Sequence, residues 1–386
     1  MYIPLRYNLR NLLERRVTTA VTVLGLGISV AVFVAVMGLV EGIRNTFVST
    51  GHALNVLVLR EGAQSETGSI IVRDAADVIR GAPGIAPDEN GVAMVSLERV
   101  VYVNLPRRSS GSSNVVIRGM PAMGRRLRPD VHLTDGRWFR PGARELVVSG
   151  AIAARFRHCS PGDQLKTGRV IWTVVGIFDA GQTAYASEMW TDGDDVAGAF
   201  SRFNHSVGLV RAADAQGSIE LQRVIAGDRR ASLAAMPETD YYAQQTKAAA
   251  PIRILGNIIA LVMAIGSAFA AMNTMYAAVA ARGREIAVLR ALGFSNSSIM
   301  LSFLTEAAML AVAGGVLGGL ATLPINGLAT GTTNWFSFSE MTFQFRITTS
   351  LLARGVAFAL IVGLAGGILP ALRASRQTLA NALRAL

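Results

Sequence analysis

The chain has 386 residues, of which 51% are hydrophobic and 16% are charged, and its formal net charge is +11. Soluble domains usually carry about 25% charged residues, so this composition argues against a purely soluble protein. A positive net charge suits either nucleic acid or the flanks of membrane spans, and its placement along the chain decides between them. The single cysteine, Cys159, excludes an intrachain disulfide.

The segment 1–16 predicts a short amphipathic helix on the cytoplasmic side. Arg6 and Arg10 lie away from a row of leucines that recur at helical spacing. Such a helix can lie in the membrane interface, and the alternative is a plain cytoplasmic extension of the span that follows. The leucines are Leu5, Leu9, Leu12 and Leu13.

Four later segments are long and apolar enough to cross a bilayer, which takes about 20 residues. They are residues 17–40, 254–281, 299–328 and 353–372. The first follows a basic N-terminus, as in a signal peptide, but it exceeds the roughly 7–15 residues of a signal-peptide apolar region. We therefore expect an uncleaved signal anchor and a membrane protein with four transmembrane α-helices.

The region 41–250, between the first two spans, predicts one large mixed α/β extracytoplasmic domain. Segments rich in β-branched residues predict strands at 55–60, 114–118, 145–149 and 170–178. Residues 74–80 and 214–230 are compatible with helices, and the polar residues 239–247 predict a stalk that leads into the second span. The loop 329–352, between the third and fourth spans, is expected on the same side of the membrane.

The remaining basic residues cluster beside the spans. Residues 1–16 hold four arginines against one acid, residues 282–298 hold three against one, and the tail 373–386 holds three and no acid. The region 41–250 is close to balance, with 24 basic and 22 acidic residues. Cytoplasmic loops collect Lys and Arg, so both termini and residues 282–298 are expected in the cytoplasm. Because the excess is split into these clusters, nucleic acid is excluded as a partner.

No motif for nucleotide or metal chemistry stands in the sequence. A phosphate-binding loop ends in Gly-Lys, and neither of the two lysines, Lys166 and Lys247, follows a glycine. There is also no His-Glu-x-x-His motif and no pair of Cys or His at metal-ligand spacing. We therefore expect no catalytic residue, no cofactor and no metal on this chain.

The segment 282–298 has the pattern of a separate short helix between the second and third spans. Gly293 is well placed to end this helix, and Ser295 can cap the next one. A short cytoplasmic helix joined directly to two spans is suited to contact a soluble partner. Its apolar residues are Ile286, Val288, Leu289 and Leu292.

The stretch 272–308 resembles the signature of FtsX-like permeases, in which an Asn is followed by R-x-R-E-I-x-x-L-R-A-x-G and then F-L-x-E-A. The matching residues are Asn273, Arg282, Arg284, Glu285, Ile286, Leu289, Arg290, Ala291, Gly293, Phe303, Leu304, Glu306 and Ala307. Residues 136–139, 145–150, 161–163 and 173–177 resemble the MacB-type periplasmic core domain. The resemblance is weakest over residues 188–205.

This resemblance implies a multi-pass permease subunit of a bacterial ABC transporter in the inner (cytoplasmic) membrane. ATP and Mg would be bound by a separate ABC ATPase subunit, because the sequence lacks the ATPase domain that MacB carries on the same chain. Further implied partners are membrane lipid, a periplasmic membrane-fusion protein, and a second permease protomer in a homodimer or related heterodimer.

The implied activity is mechanotransmission, in which closure of the ATPase moves the helices and the outer domain. The substrate class would be amphipathic, such as a lipoprotein, a peptide or a drug, and it would be exported or extracted. The alternative is a non-transporting transmitter of the FtsX type, which regulates cell-wall hydrolases. The size of the region 41–250 favours transport, because an FtsX-type loop would be shorter.

The resemblance places an ATPase-coupling surface on the short helix. Its expected members are Arg284, Glu285, Ile286, Leu289, Arg290, Leu292 and Gly293. The alternative for Glu285 and Arg290 is a charge pair that faces solvent or lipid headgroups.

Two further features lie within the third and fourth spans. Glu306 is an ionisable group in the membrane, and it is either a functional acid or the partner of a nearby arginine. Gly-x-x-x-Gly patterns predict close helix contacts, either within the chain or across a dimer. The glycines are Gly314, Gly315, Gly318, Gly319, Gly363 and Gly367.

The arginine distribution makes the orientation testable. In a Cys159→Ser background, a single cysteine at Ser110 should react with an impermeant thiol reagent added to spheroplasts. A single cysteine at Ser297 should not react, because residues 282–298 are expected in the cytoplasm. Labelling at Ser297 and not at Ser110 would reverse the topology.

Overall fold

The computed structural model describes residues 4–246, 250–333 and 339–376, and the chain forms two compact units. The helical unit comprises the described residues up to Glu41, Pro251–Leu328 and those from Phe345 onward. The sheet domain comprises the described residues of Gly42–Ala250 and Ala329–Gln344. Four parts of the expected segments lie outside the described residues: residues 1–3 of the amphipathic helix, Lys247 of the stalk, residues 334–338 of the outer loop and residues 377–386 of the tail.

The sheet domain contains both helices and strands, whereas the regular elements in the described part of the helical unit are helices. The helices are α1 (Leu5–Glu14), α2 (Arg16–Val48), α3 (Arg73–Arg80), α4 (Ala122–Arg126), α5 (Gly150–Arg155), α6 (Gly193–Phe200), α7 (Ala215–Gly227), α8 (Glu238–Gln245), α9 (Ala250–Ala281), α10 (Gly283–Ala291), α11 (Asn296–Thr322) and α12 (Thr349–Ser375). The strands are β1 (Asn55–Arg60), β2 (Val95–Pro106), β3 (Ser112–Met120), β4 (His132–Gly136), β5 (Glu145–Ser149), β6 (Gln164–Thr167), β7 (Val170–Asp179), β8 (Glu188–Asp192), β9 (Val207–Arg211), β10 (Leu233–Pro237), β11 (Ala329–Thr333) and β12 (Glu340–Gln344).

Four helices, α2, α9, α11 and α12, are long and apolar enough to cross a bilayer. Even α11 and α12 have 27 residues each, and at about 1.5 Å per residue they exceed a hydrocarbon core of about 30 Å. These helices coincide with the four spans expected from the sequence. The expected fold class, four transmembrane helices with a large mixed α/β domain, is confirmed.

The ends of the last two spans differ from the sequence expectation by a few residues. α11 ends at Thr322 rather than near residue 328, because Pro324 has no backbone N–H to continue the helix and sits in a single 3-10 turn. Gly327 then adopts a φ of +79°, a conformation that glycine favours. α12 begins earlier than expected, at Thr349, because the side chain of Thr348 caps it by accepting from the Leu351 N–H.

The sheet domain is built on one mixed sheet with the strand order β10-β1-β9-β2-β3-β8-β5-β7-β4, and β6 pairs with β7. Neighbouring strands are antiparallel except β3 with β8 and β5 with β7, which are parallel. Helices α3 and α7 pack on the part around β1 and form one hydrophobic core, called the β1 core. Helices α5 and α6 pack on the part around β5 and form a second, called the β5 core.

The strands β1, β3, β5 and β7 lie where the sequence predicts strands, and α3, α7 and α8 lie in the expected helical segments. Among the strands that the sequence pattern missed are β2 and β8. β2 carries Glu98 and Arg99 at its centre, and β8 begins with Glu188. Such charges usually mark exposed segments, but here Glu98 and Glu188 are buried.

The buried carboxylates surround one arginine, Arg118 on β3. Arg118 Nη1 lies 2.9 Å from Glu98 and 2.7 Å from Glu66, and its Nη2 lies 2.6 Å from Glu188. Arg128 Nη1 also pairs with Glu98, at 2.6 Å. This ion network joins β2, β3 and β8 with the loop that follows β1.

Burial and pairing with arginine shift the pKa values of Glu66 and Glu98 in opposite directions. Burial raises the pKa of the Glu66 carboxyl, and the pairing with Arg118 does not offset it. Burial acts in the same direction on Glu98, but Arg128 and Arg118 outweigh it, so that the pKa of Glu98 is lowered. Glu98 is therefore the anion that both buried arginines share.

The short hairpin of β11 and β12 belongs to the sheet domain and is fixed there by a buried acid. Glu340 pairs with Arg155 through one carboxylate oxygen, and its other oxygen lies 2.8 Å from Arg107 Nη2. The backbone N–H of Thr342 donates to Ser187 Oγ at 2.7 Å. The segment between the third and fourth spans is thus not a simple loop.

Removing Glu98 should destabilise the sheet domain. In Glu98→Ala, Arg118 and Arg128 lose a shared anion while they stay buried, and unfolding should become easier by about 3–5 kcal/mol. Thermal unfolding of the purified chain, followed by the fluorescence of the buried Trp172 and Trp190, would measure this. Asp77→Ala breaks an exposed pair with Arg80 and is the control, with an expected cost of at most about 1 kcal/mol. Equal melting midpoints for the two variants would contradict the prediction.

Candidate functional site

The segment expected to couple the chain to a partner forms a separate short helix, α10. The chain breaks from α9 at Arg282, whose backbone is not helical. α10 ends before Gly293, which has a φ of +89°, and this conformation explains why glycine follows the helix. The Ser295 side chain then caps α11 by accepting from the Ser298 N–H. α10 is therefore set off from both of its neighbours, as the sequence predicts.

One face of α10 is packed inside the helical unit through Ile286. Ile286 is 2% exposed and lies in an apolar cluster formed by α9, α10, α11 and α12. Displacing α10 would therefore disturb all three long helices around it. The other members of the cluster are Met275, Val279, Ile299, Phe303, Ala307, Ala371 and Ala374.

Arg282 ties α10 to the third span. Its Nη1 lies 2.9 Å from Glu306 Oε2 on α11, and its Nε lies 2.9 Å from Glu285 Oε2 on α10. The guanidinium also stands 5.1 Å from the ring centroid of Phe303, a cation–π distance. Of the two roles considered for Glu306, the structure thus provides the second, a nearby arginine with which it is paired.

The amphipathic helix α1 is also part of this site, which the sequence did not predict. Tyr7 donates from its hydroxyl to Glu285 Oε2 at 2.8 Å, and Ser302 on α11 donates to Asn8 Oδ1 at 2.6 Å. Leu9 and Leu13, on the apolar side of α1, are exposed. The adjacent polar residues Tyr7 and Asn8, which lie away from the exposed leucines of α1, could have indicated a polar contact. The sequence does not indicate which residues they contact.

No contact with the described residues buries the opposite face of α10. Val288 and Leu292 are four residues apart and are 58% and 66% exposed, and Arg284 precedes them on the same face. Leu289, which the sequence analysis grouped with Leu292, is half-buried, as is Arg290. The exposed face of α10 is therefore Arg284, Val288, Ala291 and Leu292, and the expected coupling surface contained neither Val288 nor Ala291.

The glycine patterns mark contacts between helices of this chain. A methyl group on Gly314 would stand 2.8 Å from the Cβ of Leu26 on α2, and one on Gly318 would overlap the carbonyl oxygen of Gly27. Side chains at these positions would force α2 and α11 apart.

The other four glycines lie where α11 meets α12. A methyl group on Gly363 would stand 2.6 Å from the Cβ of Ala311, and one on Gly367 would stand 2.8 Å from the Cβ of Ala307. The close contact is thus made inside the chain, one of the two arrangements that the sequence left open. The four glycines are Gly315, Gly319, Gly363 and Gly367.

Comparison with protein families accounts for both units. The profile of the MacB-like periplasmic core domain matches residues 19–227, which is more than half of the chain, and the profile of the FtsX-like permease C-terminal domain matches residues 257–379. The second match includes α10 and most of its contacts.

The chain belongs to the MacB/FtsX family of ABC transporter permeases. It is similar to the uncharacterized ABC transporter permease YvrN of Bacillus subtilis, with 25% identity over 98% of both chains. It is 25% identical to the macrolide export ATP-binding/permease protein MacB of Bordetella avium, matching over 96% of its own length and 58% of that protein. With the pyoverdine export ATP-binding/permease protein PvdT of Pseudomonas fluorescens the identity is 27%, over 95% and 57% of the two chains.

Among solved structures, the chain is similar to the periplasmic region of MacB from Actinobacillus actinomycetemcomitans. The match has a TM-score of 0.37 and 13% identity, and it covers 50% of this chain and 92% of that one. Family membership thus identifies the chain as a multi-pass ABC transporter permease whose sheet domain corresponds to the MacB-like periplasmic core domain.

The glycine contacts of this permease are open to a direct test. Gly318→Leu places a side chain against the backbone of α2 and should destabilise the helical unit by about 1–3 kcal/mol. Thermal aggregation of the detergent-purified chain is a suitable measurement. Gly266→Leu, on α9, is the matched control, because nothing lies within 4 Å of the added group. If both variants aggregated at the wild-type temperature, the close contact would be refuted.

Proposed function

We propose that this permease couples ATP hydrolysis by a separate ABC ATPase subunit to the export or extraction of an amphipathic substrate, such as a lipoprotein, a peptide or a drug. It does so by mechanotransmission in the bacterial inner membrane, with both termini and α10 in the cytoplasm and the sheet domain outside. ATP and Mg are bound by the ATPase. A second permease protomer, in a homodimer or related heterodimer, completes the membrane unit.

The observation that carries this proposal is the division of α10 into two faces. The inner face is fixed by Ile286 and by the ion pairs of Arg282, so that the helix is a packed element and not a flexible loop. The outer face presents Val288 and Leu292 without burial. A packed helix with an apolar outer face can receive a soluble partner and pass its displacement to the spans.

The contacts of Arg282 determine which other helices would be affected by a displacement of α10. Through Glu306 it reaches α11, and through Glu285 and Tyr7 it reaches α1. Beyond α11 the chain continues into the β11–β12 hairpin, which Glu340 fixes within the sheet domain. This continuous path supports transmission from the ATPase to the sheet domain.

The direction of transport and the remaining partners rest on other observations. The relatives named for macrolide export and for pyoverdine export support export as the direction. Helix α9 exposes a row of apolar side chains that suits contact with lipid or with the second protomer, including Leu261, Val262, Ile265 and Phe269. A periplasmic membrane-fusion protein is the proposed partner on the outer side.

Charging the outer face of α10 should uncouple the transporter. In Val288→Asp/Leu292→Asp, two apolar side chains worth about 1.5–3 kcal/mol each on burial are replaced, so binding of the ATPase should weaken more than tenfold. Glu285→Arg should act in the same direction by opposing Arg282. Co-purification with the ATPase and ATP hydrolysis in nanodiscs would measure both effects.

The control for this experiment is Asn296→Ala, an exposed change at the start of α11 that leaves the Ser295 cap in place. It should leave ATPase binding and hydrolysis as in wild type. Leu289→Asp is less suitable because Leu289 is half-buried and its loss also disturbs the fold. Wild-type assembly, hydrolysis and transport in the double aspartate variant would rule out α10 as the coupling element.

A further inference from the structure

A cleft of about 430 Å³ opens in the sheet domain and is lined by residues of that domain. Its walls come from the end of α3, from β2, from the start of α6 and from the segments before β2, after β3 and before β9. Its size is in the range of about 300–1,000 Å³ that small-molecule sites occupy. The residues that line it are Arg80, Ala93, Val95, Leu97, Arg99, Pro121, Asp192, Gly193, Asp194 and His205.

The cleft lies between the two hydrophobic cores. Leu97 belongs to the β1 core and Val95 packs against it, whereas α6 contributes Val196 to the β5 core. Ala93 and Pro121 are exposed and add apolar surface to the wall. A ligand held here would therefore contact the apolar surface of Ala93 and Pro121 and, through Val95 and Leu97, the edge of the β1 core.

Within the described residues, Arg80 and Arg99 use only part of their N–H donors. Asp192 accepts from the N–H groups of Asp194 and Asp195 and so caps α6. Arg80 uses one nitrogen in an exposed pair with Asp77, and Arg99 donates to the carbonyl of Phe203 and to the exposed Asp194.

The pKa of His205 indicates that the arginines outweigh Asp194 in this part of the cleft. Burial is the largest cause that lowers the pKa of His205 to about 4; Arg99 and Arg80 act in the same direction, and Asp194 opposes them. The imidazole is therefore neutral at neutral pH, and the arginines disfavour any added positive charge in this part of the cleft.

We propose that this cleft binds a small anionic amphiphile, with its acidic group at Arg80 and Arg99 and its apolar body against Val95, Leu97 and Pro121. Two arginines suit a carboxylate, sulfonate or phosphate, which accepts charge-assisted hydrogen bonds. The cleft is formed in part by residues 188–205, where the resemblance to the family is weakest. The inference does not rest on coupling to an ATPase, and binding is measured on the permease chain alone.

The test uses the full chain in nanodiscs of zwitterionic lipid, with 2-naphthalenesulfonate as the probe and equilibrium dialysis against empty discs. Saturable binding of one probe per chain is expected, and neutral 2-naphthol should bind at least tenfold more weakly. Arg80→Gln and Ala93→Glu change exposed residues and should each weaken binding of the sulfonate about tenfold. Arg99→Gln should do the same, with its melting temperature recorded because Arg99 also bonds the Phe203 carbonyl.

The matched control is Arg230→Gln, which removes an exposed arginine paired with Asp228 outside the cleft and should leave probe binding unchanged. Equal affinities for the sulfonate and for naphthol, binding no greater than to empty discs, or wild-type affinity in Arg80→Gln and Ala93→Glu would each overturn the inference. Displacement of the probe by octanoate from solution would identify a soluble anion as the source of the ligand. Displacement only by phosphatidylglycerol placed in the disc would identify a membrane lipid.

Discussion

The sheet domain depends on the ion pairs that Arg118 makes with buried carboxylates. The Arg118 side chain is 3% exposed and is bonded to carboxylates from two neighbouring strands and from the loop after β1. Taking these charges out of water is costly, and only their mutual pairing offsets the cost. The arrangement is consequently specific: a shift of β2 or β8 by one residue would turn Glu98 or Glu188 to the other face of the sheet and leave Arg118 without its partners.

The same interaction explains where the sequence was informative and where it was not. Apolar, β-branched strands such as β1 and β5 follow a pattern that a single segment contains, and they were predicted with correct bounds. β2 and β8 could not be predicted in this way, because Glu98 and Glu188 are buried only by virtue of an arginine that lies elsewhere in the chain. A pattern within one segment contains no information about such a partner.

The helical unit shows a similar limit. The four spans and the short helix α10 could be predicted, because apolar length, Gly293 and Ser295 are local signals. The contacts of α10 could not, since Tyr7 is 278 residues away from Glu285 in the chain. The coupling surface implied by the resemblance included Leu289, whereas in the structure Leu289 is half-buried and Val288 is exposed. The resemblance indicated α10 as a segment, and its coupling role stays a prediction, but only the packing distinguishes its two faces.

The hairpin of β11 and β12 increases the number of chain connections between the two units. The chain passes between the helical unit and the sheet domain four times, after Glu41, after Ala250, after Leu328 and after Gln344. A domain held by only two chain connections can rotate about the line that joins them. Here there are four connections, and two of them belong to a hairpin that Glu340 fixes within the sheet domain. Lengthening any single connection with a flexible insert would therefore still leave three connections between the two units.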